Sequence, residues 1–115
     1  MLTNFELNAE EKNGVVILRV KGELDVLVAP KVKEKLLSYS EEGKNKFIID
    51  FKELVHTNSL AMGILRGRLR EVRENGGDIK LINLNPHITT IFEMVGLDEI
   101  FEIYNTEENA LNKFE

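Results

Sequence analysis

The stretch Lys46-Phe47-Ile48-Ile49-Asp50-Phe51 decides the fold of this chain. It is almost continuously apolar, which is typical of a strand that helices cover on both faces. A helical pattern follows it, from Ser59 to about Glu74. The apolar positions of that pattern share one side of a helix and predict its buried face: Ala61, Leu65, Leu69 and Val72.

Similar patterns precede and follow this pair. Residues 5–8 and 15–20 predict two strands joined by a turn at Asn13-Gly14, and therefore an antiparallel hairpin. A first helix is predicted over about Ala29–Glu41, with Pro30 in its first turn. The rest of the chain predicts a strand, a helix, a short strand and a terminal helix, at residues 79–82, 85–96, 100–104 and from 106 onward.

This alternation of strands and helices predicts the fold class. It indicates an α/β sandwich with a mixed, mostly parallel sheet of about five strands, an N-terminal antiparallel hairpin and about four helices. In such sheets, sites form beyond the carboxyl ends of the parallel strands. Three loops are therefore expected to meet at one edge: residues 22–25, 52–58 and 83–85.

Composition limits the classes of function. The 115 residues suffice for one domain, and the formal net charge of −5 argues against general binding to nucleic acid. The absence of cysteine excludes disulfides and cysteine-ligated zinc, and no apolar run is long enough to span a membrane. The first six residues lack a signal-peptide pattern, so we expect a cytoplasmic protein. We also expect no cofactor and no metal.

Catalysis is not expected, and no residue is assigned a catalytic role. Ser59 with His56 suggests a hydrolase, but the Gly-x-Ser-x-Gly pattern is absent around Ser59. The acids Glu23 and Asp25 are more typical of a turn than of an acid–base pair. A small hydrolase that uses Ser59 is the least favoured alternative.

The second helix has two features that its buried face does not require. Gly63 and Gly67 each cost about 1 kcal/mol relative to alanine, so either another protein docks on this strip or a helix of the same domain packs there. Arg66, Arg70 and Arg73 form a basic stripe beside the buried face. The stripe is either simply solvated or in contact with an acidic partner.

Ser59 stands at the start of this helix and has two compatible roles there. Its hydroxyl can cap the helix by accepting a hydrogen bond from the first turn. The same place favours a phosphate, because unpaired N–H groups and the helix dipole attract negative charge.

Several motifs together resemble the STAS domain of bacterial anti-sigma factor antagonists. They are the turn Gly22-Glu23-Leu24-Asp25, the segment Asn58-Ser59-Leu60-Ala61-Met62-Gly63 and the ending Phe92-Glu93-Met94-Val95-Gly96-Leu97, in the order of elements that this family has. The likeness covers nearly the whole chain, and it implies one STAS-like domain over residues 1–115.

The resemblance implies a regulatory protein rather than an enzyme. In the family the segment usually reads Asp-Ser-Ser-Gly-Leu-Gly or Asp-Ser-Ala-Gly-Leu-Gly, and Ser59 matches its first serine. That serine is phosphorylated by a partner that is both anti-sigma factor and serine kinase, and phosphorylation ends the binding. Thr57 is the second candidate for phosphorylation, and a monomer or weak dimer is expected. The residues expected to contact the partner are Gly22, Glu23, Leu24, Asp25, Thr57, Asn58, Leu60, Gly63 and Gly67.

Three positions depart from the family pattern. Asn58 replaces an aspartate, Leu60 replaces a small residue, and Ala61 replaces a glycine. The departures at Asn58 and Leu60 modestly favour a rival function, a STAS-type scaffold or transporter accessory subunit that binds its partner without being phosphorylated.

Overall fold

The computed structural model describes residues 4–115. Met1, Leu2 and Thr3, which belong to the stretch without a signal-peptide pattern, lie outside the described residues. A short 3-10 helix lies at Leu97–Glu99. The strands and α-helices are β1 Phe5–Lys12, β2 Val15–Leu24, α1 Ala29–Glu41, β3 Lys46–Thr57, α2 Ser59–Glu74, β4 Asp78–Ile82, α3 Pro86–Met94, β5 Glu102–Tyr104 and α4 Glu107–Asn112.

The strands lie side by side in chain order, β1-β2-β3-β4-β5. β1 and β2 pair antiparallel through a turn at Asn13 and Gly14, whose positive φ angles of 53° and 78° match the right-handed twist of a tight hairpin. β2 to β5 are parallel, and a helix connects each to the next. The predicted α/β class, with a mixed sheet and an N-terminal hairpin, is confirmed.

Helices cover the sheet on both faces. α1, α2 and α3 pack on one face, where Phe47 and Ile49 of β3 lie in the main core, whereas Ile48 faces the opposite side and packs with Ala110 of α4. Successive residues of a strand point to opposite faces, so the part of β3 that helices cover on both faces, residues 47–51, is apolar at nearly every position. The predicted inner face of α2 is also confirmed, since all four of its residues are buried. Among the helices that residues 4–115 form, none is long and apolar enough to cross a membrane.

Two strands extend further than the sequence predicts. β2 ends at Leu24 and β3 at Thr57, so most of residues 22–25 and 52–58, which were predicted to be loops, are strand. Pairing of β3 with β4 stops at Asp50 opposite Ile82, and beyond that point β3 pairs with β2 alone. One edge of this extension is therefore open, and it carries the polar residues that made it resemble a loop.

Two boundaries near the carboxyl end also differ from prediction. β5 begins at Glu102 rather than at residue 100. α3 ends at Met94, because Gly96 adopts a left-handed conformation with φ 74°. The cap of α4 is as predicted, since Thr106 Oγ1 accepts a hydrogen bond from the backbone N–H of Asn109 at 3.1 Å.

Candidate functional site

The turns after β2, β3 and β4 meet at one edge of the sheet, as predicted. The Thr57 hydroxyl donates a buried hydrogen bond to the Leu24 carbonyl oxygen at 2.7 Å, which ties the end of β3 to the end of β2. Asn85, at the start of α3, donates from Nδ2 to the Leu54 carbonyl oxygen at 3.0 Å. These bonds fix the position from which α2 begins.

Ser59 is the first residue of α2, and its side chain is exposed. The cap is the preceding residue: Asn58 is extended, with φ −137° and ψ 169°, and its Oδ1 accepts a hydrogen bond from the Ala61 N–H at 2.9 Å. The prediction that Ser59 caps the helix is therefore wrong. Asparagine and aspartate cap helices about equally well, so the replacement of the family's aspartate by Asn58 preserves this geometry.

The start of α2 offers hydrogen-bond donors and no competing acid. Within residues 4–115, neither the backbone N–H groups of Ser59 and Leu60 nor the Ser59 hydroxyl has a hydrogen-bond partner. The first turn contains no acidic residue. Unpaired donors at the positive end of a helix dipole can hold a phosphate, so this environment suits a phosphorylated Ser59.

The motif that begins at Gly22 shapes the same edge from the other side. Gly22 has φ 95°, and a Cβ on it would lie 1.9 Å from the carbonyl oxygen of Asn4. Only glycine fits this conformation and this approach. Asp25 Oδ1 accepts hydrogen bonds from the backbone N–H groups of Leu27 and Val28, at 2.9 and 3.2 Å, and so forms the turn that leads into α1.

Three residues of the predicted contact set lie in the interior. Gly22, Leu24 and Thr57 are buried, and Thr57 is only 1% exposed. Their side chains cannot contact a partner, and the Thr57 hydroxyl is already bonded inside, so both predictions made for Thr57 are wrong. The remaining residues of the set are at least partly accessible: Glu23, Asp25, Asn58, Leu60, Gly63 and Gly67.

Exposed apolar side chains at this edge were not anticipated as a group. Leu60 is 69% exposed and Leu27 is 79% exposed, and Val26 and Val55 are also largely accessible. Large apolar side chains that remain exposed are typical of protein contact surfaces. The sequence held one signal, the apolar run Val26-Leu27 directly after the Asp25 turn, but nothing in the run indicated which of its residues would point outward.

The two histidines form a pair of their own. Nδ1 of His56 lies 3.0 Å from Nε2 of His87, and the ring centroids are 5.2 Å apart, so the rings meet through their edges. Nδ1 of His56 thus faces His87, and within residues 4–115 His56 and Ser59 share no hydrogen bond of the kind that joins a nucleophile to its base. No group of three potential metal ligands occurs in the described part of the chain.

The glycine strip of α2 is bare. Gly63 and Gly67 are exposed, and a Cβ on either would find no neighbouring heavy atom within 4 Å outside the helix's own backbone. Packing by another helix of the same domain, one of the two explanations for these glycines, is therefore excluded. The other explanation, docking by another molecule, stays a prediction.

A family model for the STAS domain matches residues 6–110. The chain belongs to the STAS domain family. The resemblance noted from the Gly22 turn and the Ser59 segment is thereby confirmed.

Two relatives of similar length are both named as antagonists of an anti-sigma factor. The anti-sigma F factor antagonist of Paenibacillus polymyxa is 29% identical over 113 residues, which cover 97% of each chain. The anti-sigma-B factor antagonist of Listeria monocytogenes is 34% identical over 107 residues, which cover 93% of each chain.

A solved structure in two states shares the fold. The unphosphorylated form of the anti-sigma factor antagonist SpoIIAA has a TM-score of 0.81 at 26% identity, with 95% of this chain and 96% of that chain covered. The phosphorylated form of SpoIIAA from Bacillus has a TM-score of 0.73 at 26% identity, with 96% of this chain and 100% of that chain covered.

Proposed function

We propose that this STAS protein is an anti-sigma factor antagonist that binds an anti-sigma factor with serine kinase activity, and that phosphorylation of Ser59 ends the binding. The observation that carries the proposal is the exposed Ser59 hydroxyl, without a hydrogen-bond partner in residues 4–115, at the start of α2. Relatives of similar length are named as antagonists of anti-sigma factors, and SpoIIAA has a phosphorylated form.

The proposed contact surface surrounds Ser59. The apolar side chains of Leu27, Val55 and Leu60 supply area that a partner can remove from water. Accessible polar groups and the bare strip of α2 complete the surface: Glu23, Asp25, Asn58, Gly63 and Gly67. An apolar centre with a polar rim is the usual composition of such an interface.

The proposed switch is electrostatic and local. A phosphate on Ser59 adds about −1.5 to −2 charges, which a docking partner has to desolvate or oppose. Each 1.4 kcal/mol of that cost is about a tenfold loss of affinity. The fold itself is not altered, because Asn58 and not Ser59 caps α2.

The test uses the candidate anti-sigma kinase encoded in the same genome. Incubation with this kinase and ATP is expected to add the mass of one phosphate, and Ser59→Ala is expected to abolish the addition. Ser38→Ala is the matched control, since Ser38 is an exposed serine on α1 and its loss should change nothing. A phosphate that survives Ser59→Ala, or an active kinase that leaves the native protein unmodified, would contradict the proposal.

A further inference from the structure

An open groove of about 690 Å³ runs beside α2. Gly63 and Gly67 form part of its wall, and Ile100 closes its far end. The remaining lining residues are three arginines, one acid and one apolar residue: Arg66, Arg70, Arg73, Glu74 and Leu69. The groove begins one helical turn after Ser59, so it is continuous with the proposed contact surface.

Two of the three guanidinium groups are available to a ligand. Arg73 is engaged, because it donates to Asp78 Oδ1 and to the carbonyl oxygen of Ile100, both at 2.9 Å. Arg70 approaches only Glu74, at 3.8 Å, and both side chains are well exposed, so that ion pair is weak. Arg66 is exposed and has no ion-pair partner within residues 4–115.

Several residues on this side of α2 reduce the stability of the helix. Glycine is a poor helix former, and Gly63 and Gly67 have no neighbour that a side chain would displace. Arg66 and Arg70 are four residues apart, a spacing at which like charges repel each other across one turn. Several unfavourable choices on one helix face are expected where a surface serves binding rather than stability.

We propose that an acidic segment of the partner protein lies in this groove, with its backbone against Gly63 and Gly67 and two carboxylates paired with Arg66 and Arg70. This inference rests on the proposed function, because it names the chemistry of the partner segment that lies next to the Ser59 contact. Charge complementarity supports it: the chain has a net charge of −5, yet this groove presents free guanidinium groups that pair bidentately with carboxylates.

The spacing of the arginines fits such a segment. Residues four apart on a helix are separated by about 6 Å along its axis. Carboxylates one turn apart on an acidic helix have the same spacing, and so do carboxylates two residues apart on an extended strand. Because Gly63 and Gly67 have no side chains, the backbone of the acidic segment has room to come close to α2.

The first test uses a defined probe, followed by NMR on the isotope-labelled protein. The probe is an amphipathic peptide of leucine and glutamate with glutamates four residues apart, and its control is the same peptide with lysine in place of glutamate. The amide resonances of Gly63 and Gly67 are expected to shift with the acidic peptide, which should bind at least tenfold more tightly than its lysine twin. Equal affinities, or shifts confined to other residues, would overturn the inference. Shifts that appear on concentration without peptide would assign the groove to a second copy of the chain instead.

Two variants separate groove binding from folding. Arg66→Glu combined with Arg70→Glu is expected to lower the affinity for the acidic peptide at least tenfold. Its control is Lys31→Glu combined with Lys35→Glu, which makes the same charge change at the same spacing on exposed positions of α1. Gly67→Leu introduces a better helix former, so it should raise the midpoint of thermal unfolding. Its side chain also fills the groove, so it should lower the affinity for the acidic peptide. Unchanged peptide affinity in either groove variant would overturn the inference.

The anti-sigma factor then distinguishes this inference from the function on which it rests. If the proposed function and the groove inference both hold, Ser59→Asp and the double arginine variant each lower the affinity for the anti-sigma factor at least tenfold. If Ser59→Asp lowers this affinity and the double arginine variant does not, the groove inference fails and the proposed function stands. If the native protein does not bind the anti-sigma factor at all, the proposed function fails, and the peptide titration still decides what the groove binds.

Discussion

Asn58 Oδ1 accepts a hydrogen bond from the backbone N–H of Ala61 at 2.9 Å, and this bond begins α2 without using the Ser59 hydroxyl. One residue therefore holds the helix in place while its neighbour carries the exposed oxygen. This separation allows Ser59 to be modified without removing the cap.

The separation of roles predicts a contrast between two substitutions. Asn58→Ala removes the cap and should lower the free energy of unfolding by about 1 kcal/mol. Ser59→Ala removes a hydroxyl at an exposed position and should change it by less than about 0.5 kcal/mol. Urea denaturation of both variants measures the difference. Equal losses would mean that Ser59 shares the cap, and the local switch would lose its basis.

Gly22 should be one of the least replaceable residues of the chain. Gly22→Ala introduces a Cβ at φ 95° and within 1.9 Å of the Asn4 carbonyl oxygen, so the free energy of unfolding should fall by about 3 kcal/mol. Gly43→Ala is the control, since Gly43 has φ 89° but no heavy atom within 4 Å of a Cβ, and it should cost about 1 kcal/mol. Thermal or urea unfolding measures both. Similar losses would show that the close approach to Asn4 carries no penalty.

Glu107 should make the stability depend on acid pH. A hydrogen bond from Lys12 Nζ at 2.6 Å, with another from Arg19 at 2.8 Å, lowers the pKa of Glu107 in the folded state against the opposing effect of desolvation. A group whose pKa is lowered by folding stabilises the protein above its unfolded pKa, about 4.3 for glutamate. That contribution disappears as the pH falls through the lower pKa of the folded state.

The measurement is the free energy of unfolding at pH 7 and at about pH 3. The native protein should lose more stability over this interval than Glu107→Gln, which has no carboxylate to protonate. Glu108→Gln is the control, because Glu108 is the exposed neighbour in the same helical turn and should lose as much as the native protein. An identical pH dependence in the native protein and Glu107→Gln would contradict the role of this ion pair.

Periodicity was sufficient to predict the fold. The inner face of α2 follows from apolar residues spaced three or four apart, because a helix has about 3.6 residues per turn. The burial of β3 on both faces follows from its continuous apolar run, because successive side chains of a strand point to opposite faces. The Asn13-Gly14 turn was equally legible, because few residue pairs accept positive φ at both positions.

The details of the site were less accessible, for separate physical reasons. Asn58 and Ser59 both suit a helix cap, and only the backbone course decides which of them is extended. The end of β3 carries exposed polar residues, which are typical of a loop, and only its pairing with β2 shows that it is strand. The sequence predicts an accessible hydroxyl at Thr57, whereas in the structure this hydroxyl is buried and donates to the Leu24 carbonyl oxygen.

The central claim is that a phosphate on the exposed Ser59 oxygen weakens binding while the fold stays intact. The most direct measurement is the dissociation constant of the anti-sigma factor for the unmodified and the Ser59-phosphorylated protein, by calorimetry, with circular dichroism spectra recorded for both. Phosphorylation is expected to weaken the complex at least tenfold, with superimposable spectra for the two forms. Equal dissociation constants for the two forms would contradict it.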